Sequence, residues 1–126
     1  MNLVDSCGWL EYFADGPNAI YFAEPIEDTD NLLVPSLCVL EVFKNILRQR
    51  GENSALQAIA LMGQGMIVDL DTSIALSAAK LGLEHKLPLA DSIILATARA
   101  NDAIVWTQDA DLKGIDGVNF IPKKKK

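Results

Sequence analysis

The chain has 126 residues, half of them hydrophobic, which is enough for one compact domain with its own core. Its net charge is −6, and four of its eleven basic residues stand at the C-terminal end, so the other seven oppose 17 acidic residues and leave −10 on the body. Such a body excludes binding to nucleic acid by charge alone, because affinity for phosphates comes mainly from Lys and Arg. No apolar run approaches the ~20 residues that span a bilayer, and no signal-peptide pattern opens the chain, so we expect a cytoplasmic protein without membrane contact.

Five short apolar runs, most of them β-branched, have the length of strands. Continuous runs of this kind are typical of strands that are buried on both faces of a parallel sheet. The runs lie at residues 2–4, 32–34, 66–68, 103–106 and 118–121.

Helical patterns lie between these runs. One begins at Pro35-Ser36, has Leu37, Leu40, Phe43 and Leu47 at helical spacing, and ends at Gly51; others open at 53–54, 72–73 and 90–91. Ala19 to Ala23 also looks helical, and we expect Pro25 to end or kink that helix. The alternation predicts βαβ units in a three-layer α/β/α sandwich with a central parallel sheet. We expect a single domain over residues 1–122, and a disordered basic tail over 123–126.

Acidic residues follow several of the predicted strands. Asp5 leaves the first strand, Glu41 lies about a turn and a half into the helix after the second, Asp91 opens a late helix, and Asp109 and Asp111 follow the fourth strand. Each has an ordinary explanation as a helix cap, a surface ion pair or a polar turn. Because the carboxyl ends of parallel strands meet at one edge, the coincidence predicts an acidic cluster there.

A cluster of carboxylates needs a compensating charge. Two carboxylates at ~4 Å repel each other by about 4 kcal/mol at an effective dielectric constant near 20. A hard divalent cation is the natural compensation, since Mg²⁺ and Mn²⁺ prefer oxygen ligands. The chain has no His or Cys cluster of the kind that binds zinc, and we expect Cys7 and Cys38 to be buried free thiols.

Four stretches together resemble a known family. They are VDSCGWLEYF at 4–13, PSLCVLEVFKNI at 35–46, LPLADSIILATA at 87–98 and TQDADL at 107–112. Each is weak alone, but their order and spacing resemble the PIN domain of the VapC type, the ribonuclease toxins of bacterial and archaeal toxin–antitoxin pairs. Two positions depart from the family pattern: Cys7 replaces a common Ser or Asn, and Leu112 replaces an aromatic residue.

The resemblance implies roles for individual residues. It implies that Asp5, Asp91 and Asp109 bind Mg²⁺ or Mn²⁺, and that Glu41 joins them in hydrolysing RNA phosphodiester bonds. Supporting roles fall to Ser6, Thr107 and Asp111. Lys44 and Arg48, roughly on the face of Glu41, are candidates for contacting substrate phosphates, with charge balance on an exposed helix as an equal alternative.

The same resemblance implies partners. These are an RNA substrate, a cognate VapB-like antitoxin, and assembly into a homodimer and a toxin–antitoxin hetero-oligomer. Five aromatic residues could form the antitoxin groove or the dimer face, with core packing expected for about half of them: Trp9, Tyr12, Phe13, Tyr21 and Phe22. The competing function is a catalytically inactive PIN-fold binding module. A haloacid dehalogenase-like phosphatase is disfavoured, because Cys7 stands where its second aspartate belongs.

Overall fold

The computed structural model describes residues 1–125; Lys126, the end of the predicted basic tail, lies outside the described residues. The strands are β1 Asn2–Val4, β2 Leu32–Pro35, β3 Met66–Val68, β4 Ile104–Thr107 and β5 Val118–Phe120. The α-helices are α1 Ser6–Phe13, α2 Ala19–Glu27, α3 Ser36–Arg50, α4 Glu52–Met62, α5 Thr72–His85 and α6 Leu89–Ala100. Short 3-10 turns cover Thr29–Asn31 and Ala110–Leu112. Within the described part of the chain, no helix combines the length and the apolar character needed to cross a bilayer.

The five strands form one parallel sheet in the order β3-β2-β1-β4-β5. The central strand is β1, where Leu3 pairs with Leu33 of β2 on one side and with Val105 of β4 on the other. Since all strands run the same way, their carboxyl ends share one edge, and the strand order reverses beside β1. The predicted α/β architecture with a central parallel sheet is confirmed.

Two hydrophobic clusters pack the helices on the sheet. The larger contains the β1, β2 and β4 side chains together with residues of α1 to α4, and includes Trp9 and Phe22, both without exposed surface. The smaller lies between α5 and α6 and receives Val68 and Val118 from the two edge strands. β3 is one of those edges, and Met66 and Ile67 are exposed; the expectation that every strand is buried on both faces is wrong for it.

Helix α3 buries only part of the predicted face: Leu37 and Phe43 pack against the core, but the other two predicted residues do not. The predicted apolar side contained Leu40 and Leu47, which are 59% and 42% exposed, whereas Cys38, Val42 and Ile46 are buried. Both sets of residues have helical spacing, so the sequence carries two apolar stripes. The side of α3 that meets the rest of the core is the one that carries Cys38, Val42 and Ile46. The predicted length of α3 is therefore right, whereas the predicted burial is wrong for Leu40 and Leu47.

Pro25 does not end α2. The helix continues through it to Glu27, so the expectation that this proline ends the helix is wrong, and the alternative of a kink there stays a prediction. Pro25 lacks an N–H and interrupts one backbone hydrogen bond, but Phe22 and Ile26 on the same helix are buried in the larger cluster. Tertiary burial of this face thus outweighs the local cost of the proline.

Helices α3 and α4 are joined without a loop. Gly51 alone separates them, with φ +89° and ψ 177°, a conformation that is essentially restricted to glycine. The chain therefore reverses sharply there, and α4 returns alongside α3 with Ala55, Ala58 and Met62 buried.

Candidate metal centre

Three carboxylates converge at the carboxyl edge of the sheet. Asp5 follows β1 directly, Asp109 follows β4, and Asp91 lies in the first turn of α6. One oxygen from each lies within 4.8 Å of the others. Since β1 and β4 are neighbours, the fold brings together acids that are more than 100 positions apart. These are the three residues that the resemblance implies as metal ligands.

The acids line a pocket of about 250 Å³. Glu41 and Asp111 also line it, although neither belongs to the close group of three. No basic side chain occurs among the described residues around this pocket. The carboxylates thus face one another without a compensating positive charge from the protein.

Asp5 is held in a fixed orientation. Its Oδ1 accepts a hydrogen bond from the Ser6 backbone N–H at 2.8 Å, and its Oδ2 accepts one from the Thr107 hydroxyl at 2.9 Å. Its own backbone N–H donates to the Trp106 carbonyl at 3.0 Å, which extends the pairing of β1 with β4. Asp5 is therefore also the N-cap of α1, so the ordinary capping interpretation and the site interpretation both apply to it.

Thr107 links the acids of the two strands. Its hydroxyl donates to Asp5 and accepts a hydrogen bond from the Asp109 backbone N–H at 2.9 Å, and its side chain is fully buried. Asp109 in turn accepts a hydrogen bond from the Asp111 backbone N–H at 3.0 Å through Oδ1. The structure thus places Thr107 and Asp111 in contact with the cluster, Thr107 inside it and Asp111 at its exposed rim.

Glu41 enters the pocket from α3. Its Oε1 accepts a hydrogen bond from the Ser6 hydroxyl at 3.0 Å, which gives Ser6 a second contact with the site. Lys44 is exposed and, within residues 1–125, forms no ion pair with Glu41. Arg48 is also exposed and donates to Asn45 Oδ1 at 3.0 Å. A role for Lys44 and Arg48 in binding substrate stays a prediction.

Burial and mutual repulsion make two of these acids harder to ionise. For Asp91, burial, then its hydrogen bond with the Asp109 side chain, then the charges of Asp109, Asp5 and Asp111 raise the pKa to about 7. For Asp5, burial raises the pKa, while the hydrogen bonds from Thr107 and Ser6 oppose the rise. A bound divalent cation would favour the ionised forms of these acids. Three convergent carboxylate oxygens fit a hard cation of the Mg²⁺ or Mn²⁺ type.

Cys7 adjoins the same acids. Its Sγ lies 3.6 Å from Asp5 Oδ2 and 3.4 Å from the Thr107 hydroxyl. Burial, followed by the charge of Asp5, raises the pKa of this thiol to about 12, so it is uncharged at neutral pH. Both cysteines are free thiols as predicted, with Cys38 buried and Cys7 partly buried. The sequence showed Cys7 only as a departure from a family pattern and gave no sign of this contact.

The five aromatic residues divide between the core and its boundary. Trp9 and Phe22 are fully buried, which excludes them from an exposed groove or dimer face and confirms core packing for these two. Tyr12, Phe13 and Tyr21 are half-buried, and Tyr21 packs its ring against Trp106 at a centroid distance of 5.1 Å.

The sequence pattern of the PIN domain matches residues 3–118, and the chain belongs to the PIN-domain family. A toxin–antitoxin complex from Klebsiella pneumoniae contains a similar chain, with a TM-score of 0.81, 26% identity, and coverage of 94% of this chain and 96% of that one. VapC20 of Mycobacterium tuberculosis, described as a sarcin–ricin loop cleaving toxin, shares the fold with a TM-score of 0.72, 14% identity, and coverage of 94% and 98%. VapBC2 of Rickettsia felis, solved bound to a promoter DNA fragment, gives a TM-score of 0.74, 12% identity, and coverage of 96% and 97%. No curated protein matches the sequence.

Proposed function

We propose that this chain is a metal-dependent endoribonuclease, the VapC-type toxin of a toxin–antitoxin pair. The observation that carries the proposal is the group formed by Asp5, Asp91 and Asp109, whose oxygens lie within 4.8 Å of one another in a chain of the PIN-domain family. Their pocket has no basic side chain among its described lining residues, so a divalent cation is the compensating charge that the site requires.

Asp5, Asp91 and Asp109 would hold Mg²⁺ or Mn²⁺, and the cation would supply Lewis-acid activation of a water and charge neutralisation at the attacked phosphate. Thr107 and the Ser6 backbone fix both oxygens of Asp5, so this carboxylate is oriented before substrate arrives. The Ser6 hydroxyl donates to Oε1 of Glu41. The Glu41 carboxylate can accept further hydrogen bonds from a water or a substrate hydroxyl in the same pocket.

The similar structures support the choice of partners. Two of them are toxin–antitoxin or VapBC complexes, and a third is named as a toxin that cleaves the sarcin–ricin loop. On this basis we propose for the present chain a VapB-like antitoxin, a toxin–antitoxin hetero-oligomer and an RNA substrate. A homodimer and a place in the cytoplasm are proposed from the family resemblance.

The proposal is tested by incubating total cellular RNA with the purified, antitoxin-free protein in Mg²⁺ or Mn²⁺, and in EDTA. We expect discrete fragments that require metal and disappear in Asp91→Asn. The matched control is Asp116→Asn, which removes an exposed carboxylate outside the pocket. Attack by an external water leaves a 5′-phosphate and a 3′-hydroxyl, so 2′,3′-cyclic phosphate ends would contradict the mechanism. Absence of cleavage by folded, metal-binding protein would favour the binding-only module.

A further inference from the structure

A second groove adjoins the acidic pocket, lined by residues of α1, α3 and α4 and by the C-terminal segment. Its volume is about 430 Å³, within the ~300–1,000 Å³ that is usual for ligand sites. Cys7 lines both cavities, so the groove lies next to the acidic pocket. From Glu41 in the acidic pocket to Arg50 in the groove, α3 rises by about 13 Å. The groove is therefore long enough to hold several units of a polymeric ligand on one side of a bond that is cleaved in the acidic pocket.

The charge of this groove differs from that of the body. Among the described residues its charged side chains are Arg50, Lys123 and Glu11, and five further lining residues are uncharged and polar. The Glu11 carboxylate already accepts a hydrogen bond from the Asn18 backbone at 2.7 Å. A net positive lining on a body that carries about ten excess negative charges marks this surface as suited to an anionic ligand.

The backbone that leads into Lys123 is held by the fold. Asn18, only 2% exposed, donates through Nδ2 to the Pro122 carbonyl at 3.0 Å and to Gln108 Oε1 at 2.9 Å. The Ile121 backbone N–H donates to the Thr107 carbonyl at 3.0 Å. These contacts hold the C-terminal segment against the sheet edge, so the basic tail begins at the groove.

Phe13 supplies a rigid aromatic surface to the groove. Its ring is half-buried and stacks on Trp9 with a centroid distance of 5.7 Å and an interplanar angle of 27°. Trp9 is fully buried, and Tyr12 packs edge-on to Phe13 at 5.7 Å, so the ring is held from two sides. A basic groove with a fixed aromatic ring is the arrangement that binds single-stranded nucleic acid, with cations on the phosphates and a ring under a base.

We propose that this groove binds the single-stranded RNA that flanks the scissile phosphate, an inference that rests on the proposed function. Arg50 and Lys123 contact backbone phosphates, and Phe13 stacks with a base. The uncharged polar side chains, among them Gln49 and Gln57, offer amide groups to base edges. The strand leaves the acidic pocket past Cys7. Selection of the RNA then depends partly on this groove, and not on the acids alone.

The test measures binding separately from cleavage. A fluorescein-labelled, 10-nucleotide single-stranded RNA of mixed sequence is titrated with Asp91→Asn protein by fluorescence anisotropy over a range of salt concentrations. Onto this parent are placed Arg50→Gln, Lys123→Gln and Phe13→Leu. The control is Arg99→Gln, which removes an exposed cation from α6 outside the groove. Thermal melting of each variant checks that it is folded.

We expect Phe13→Leu to raise Kd at least about fivefold, because leucine keeps the bulk of the side chain but not the stacking surface. Arg50→Gln and Lys123→Gln should each raise Kd and lower the slope of log K against log salt by about 0.7, one phosphate contact on a single strand. Arg99→Gln should match the parent. In the background with Asp91 intact, cleavage of RNA should fall by a larger factor than cleavage of bis(p-nitrophenyl) phosphate, which is too small to occupy the groove.

Groove variants that bind RNA as tightly as Arg99→Gln would overturn this inference, and the proposed function would stand if the unaltered protein still cleaved total RNA. No RNA binding by the Asp91→Asn parent would overturn it as well. Variants that keep RNA affinity but lose the cognate antitoxin would identify the groove as a protein-docking site instead. Absence of metal-dependent RNA cleavage by the unaltered protein would, in contrast, refute the proposed function itself.

Discussion

Replacing Asp91 by asparagine should stabilise the metal-free protein at neutral pH while weakening its response to metal. Burial and the neighbouring Asp109 raise the pKa of Asp91 to about 7, from an ordinary value of 3.8. A raised pKa means that the folded state binds the proton more tightly than the unfolded state. The contribution of Asp91 to the free energy of unfolding is fully present below about pH 4 and is lost as the pH rises towards 7. Asparagine has the shape of aspartic acid but never ionises, so the variant does not lose this contribution as the pH rises.

The shift sets a ceiling on the effect. About three pH units at 1.36 kcal/mol each give about 4 kcal/mol. Asp109 and Asp5 share the repulsion and can relax, so we expect the free energy of unfolding at pH 7.5 to increase by about 1–2 kcal/mol. For a domain of this size the melting temperature should rise by about 4–10 °C. The gain should shrink towards zero near pH 4.

The assay is thermal melting in EDTA from pH 4 to pH 8, followed by addition of Mn²⁺ or Mg²⁺ at pH 7.5. Asp116→Asn, on an exposed turn, controls for the change in net charge and should follow the unaltered protein. Metal should raise the melting temperature of the unaltered protein more than that of Asp91→Asn, because one ligand is lost. A metal-free Asp91→Asn variant that melts at or below the unaltered protein at pH 7.5 would refute the repulsion on which the metal assignment depends.

Three further substitutions test one contact in the site and two glycines of the surrounding fold. Thr107→Val removes the hydroxyl that donates to Asp5, and should lower the free energy of unfolding by about 1–3 kcal/mol and weaken Mn²⁺ binding measured by calorimetry. Thr107→Ser should restore both quantities. Equal behaviour of the two variants would count against the hydrogen bond from Thr107 to Asp5. Gly82→Ala places a Cβ 2.6 Å from Ser92 Oγ and should lower the free energy of unfolding, measured in urea, by about 1–3 kcal/mol. Adding Ser92→Ala should recover most of this loss. Additive effects in the double mutant would contradict the steric cause. A Cβ at Gly51 would have free space, but the backbone there has a conformation that is essentially restricted to glycine. Gly51→Ala should therefore lower the free energy of unfolding by about 1–3 kcal/mol in the same measurement. A neutral result would show that α3 and α4 can be joined by a different backbone conformation.

Side-chain periodicity and helix signals in the sequence were sufficient for the order of the main elements. The five predicted strands occur within a residue or so of their expected places, because short β-branched runs between helices have few other solutions in a domain of this length. Helix α6 also begins next to its predicted start at 90–91, and Ile94, Leu95 and Ala98 are buried. The approach of Asp5 and Asp109 followed from the parallel topology, which places the ends of all strands at one edge, whereas Asp91 reaches them from the first turn of α6.

Other features depend on which surfaces meet, and no local pattern contains that information. The rotation of α3 was decided by packing, since its two apolar stripes have the same period and only contact with the interior distinguishes them. The continuation of α2 through Pro25 was decided by the burial of Phe22 and Ile26. In both places local propensity favoured one answer and the core imposed another.

The chemistry of the site divides in the same way. The sequence by itself determined which acids are available and that Asp5 and Asp109 follow strands, Asp91 opens a helix and Glu41 lies within one, because those positions are properties of the chain order. Only the tertiary structure decided that Thr107 bridges Asp5 to the Asp109 backbone, that Ser6 holds Glu41, and that the C-terminal lysines begin at a groove beside the acids. Except for the link from Thr107 to the Asp109 backbone, the hydrogen bonds join residues that are separated by 35 or more positions in the sequence. Hydrogen bonds of that span form only once the sheet has set the strands side by side.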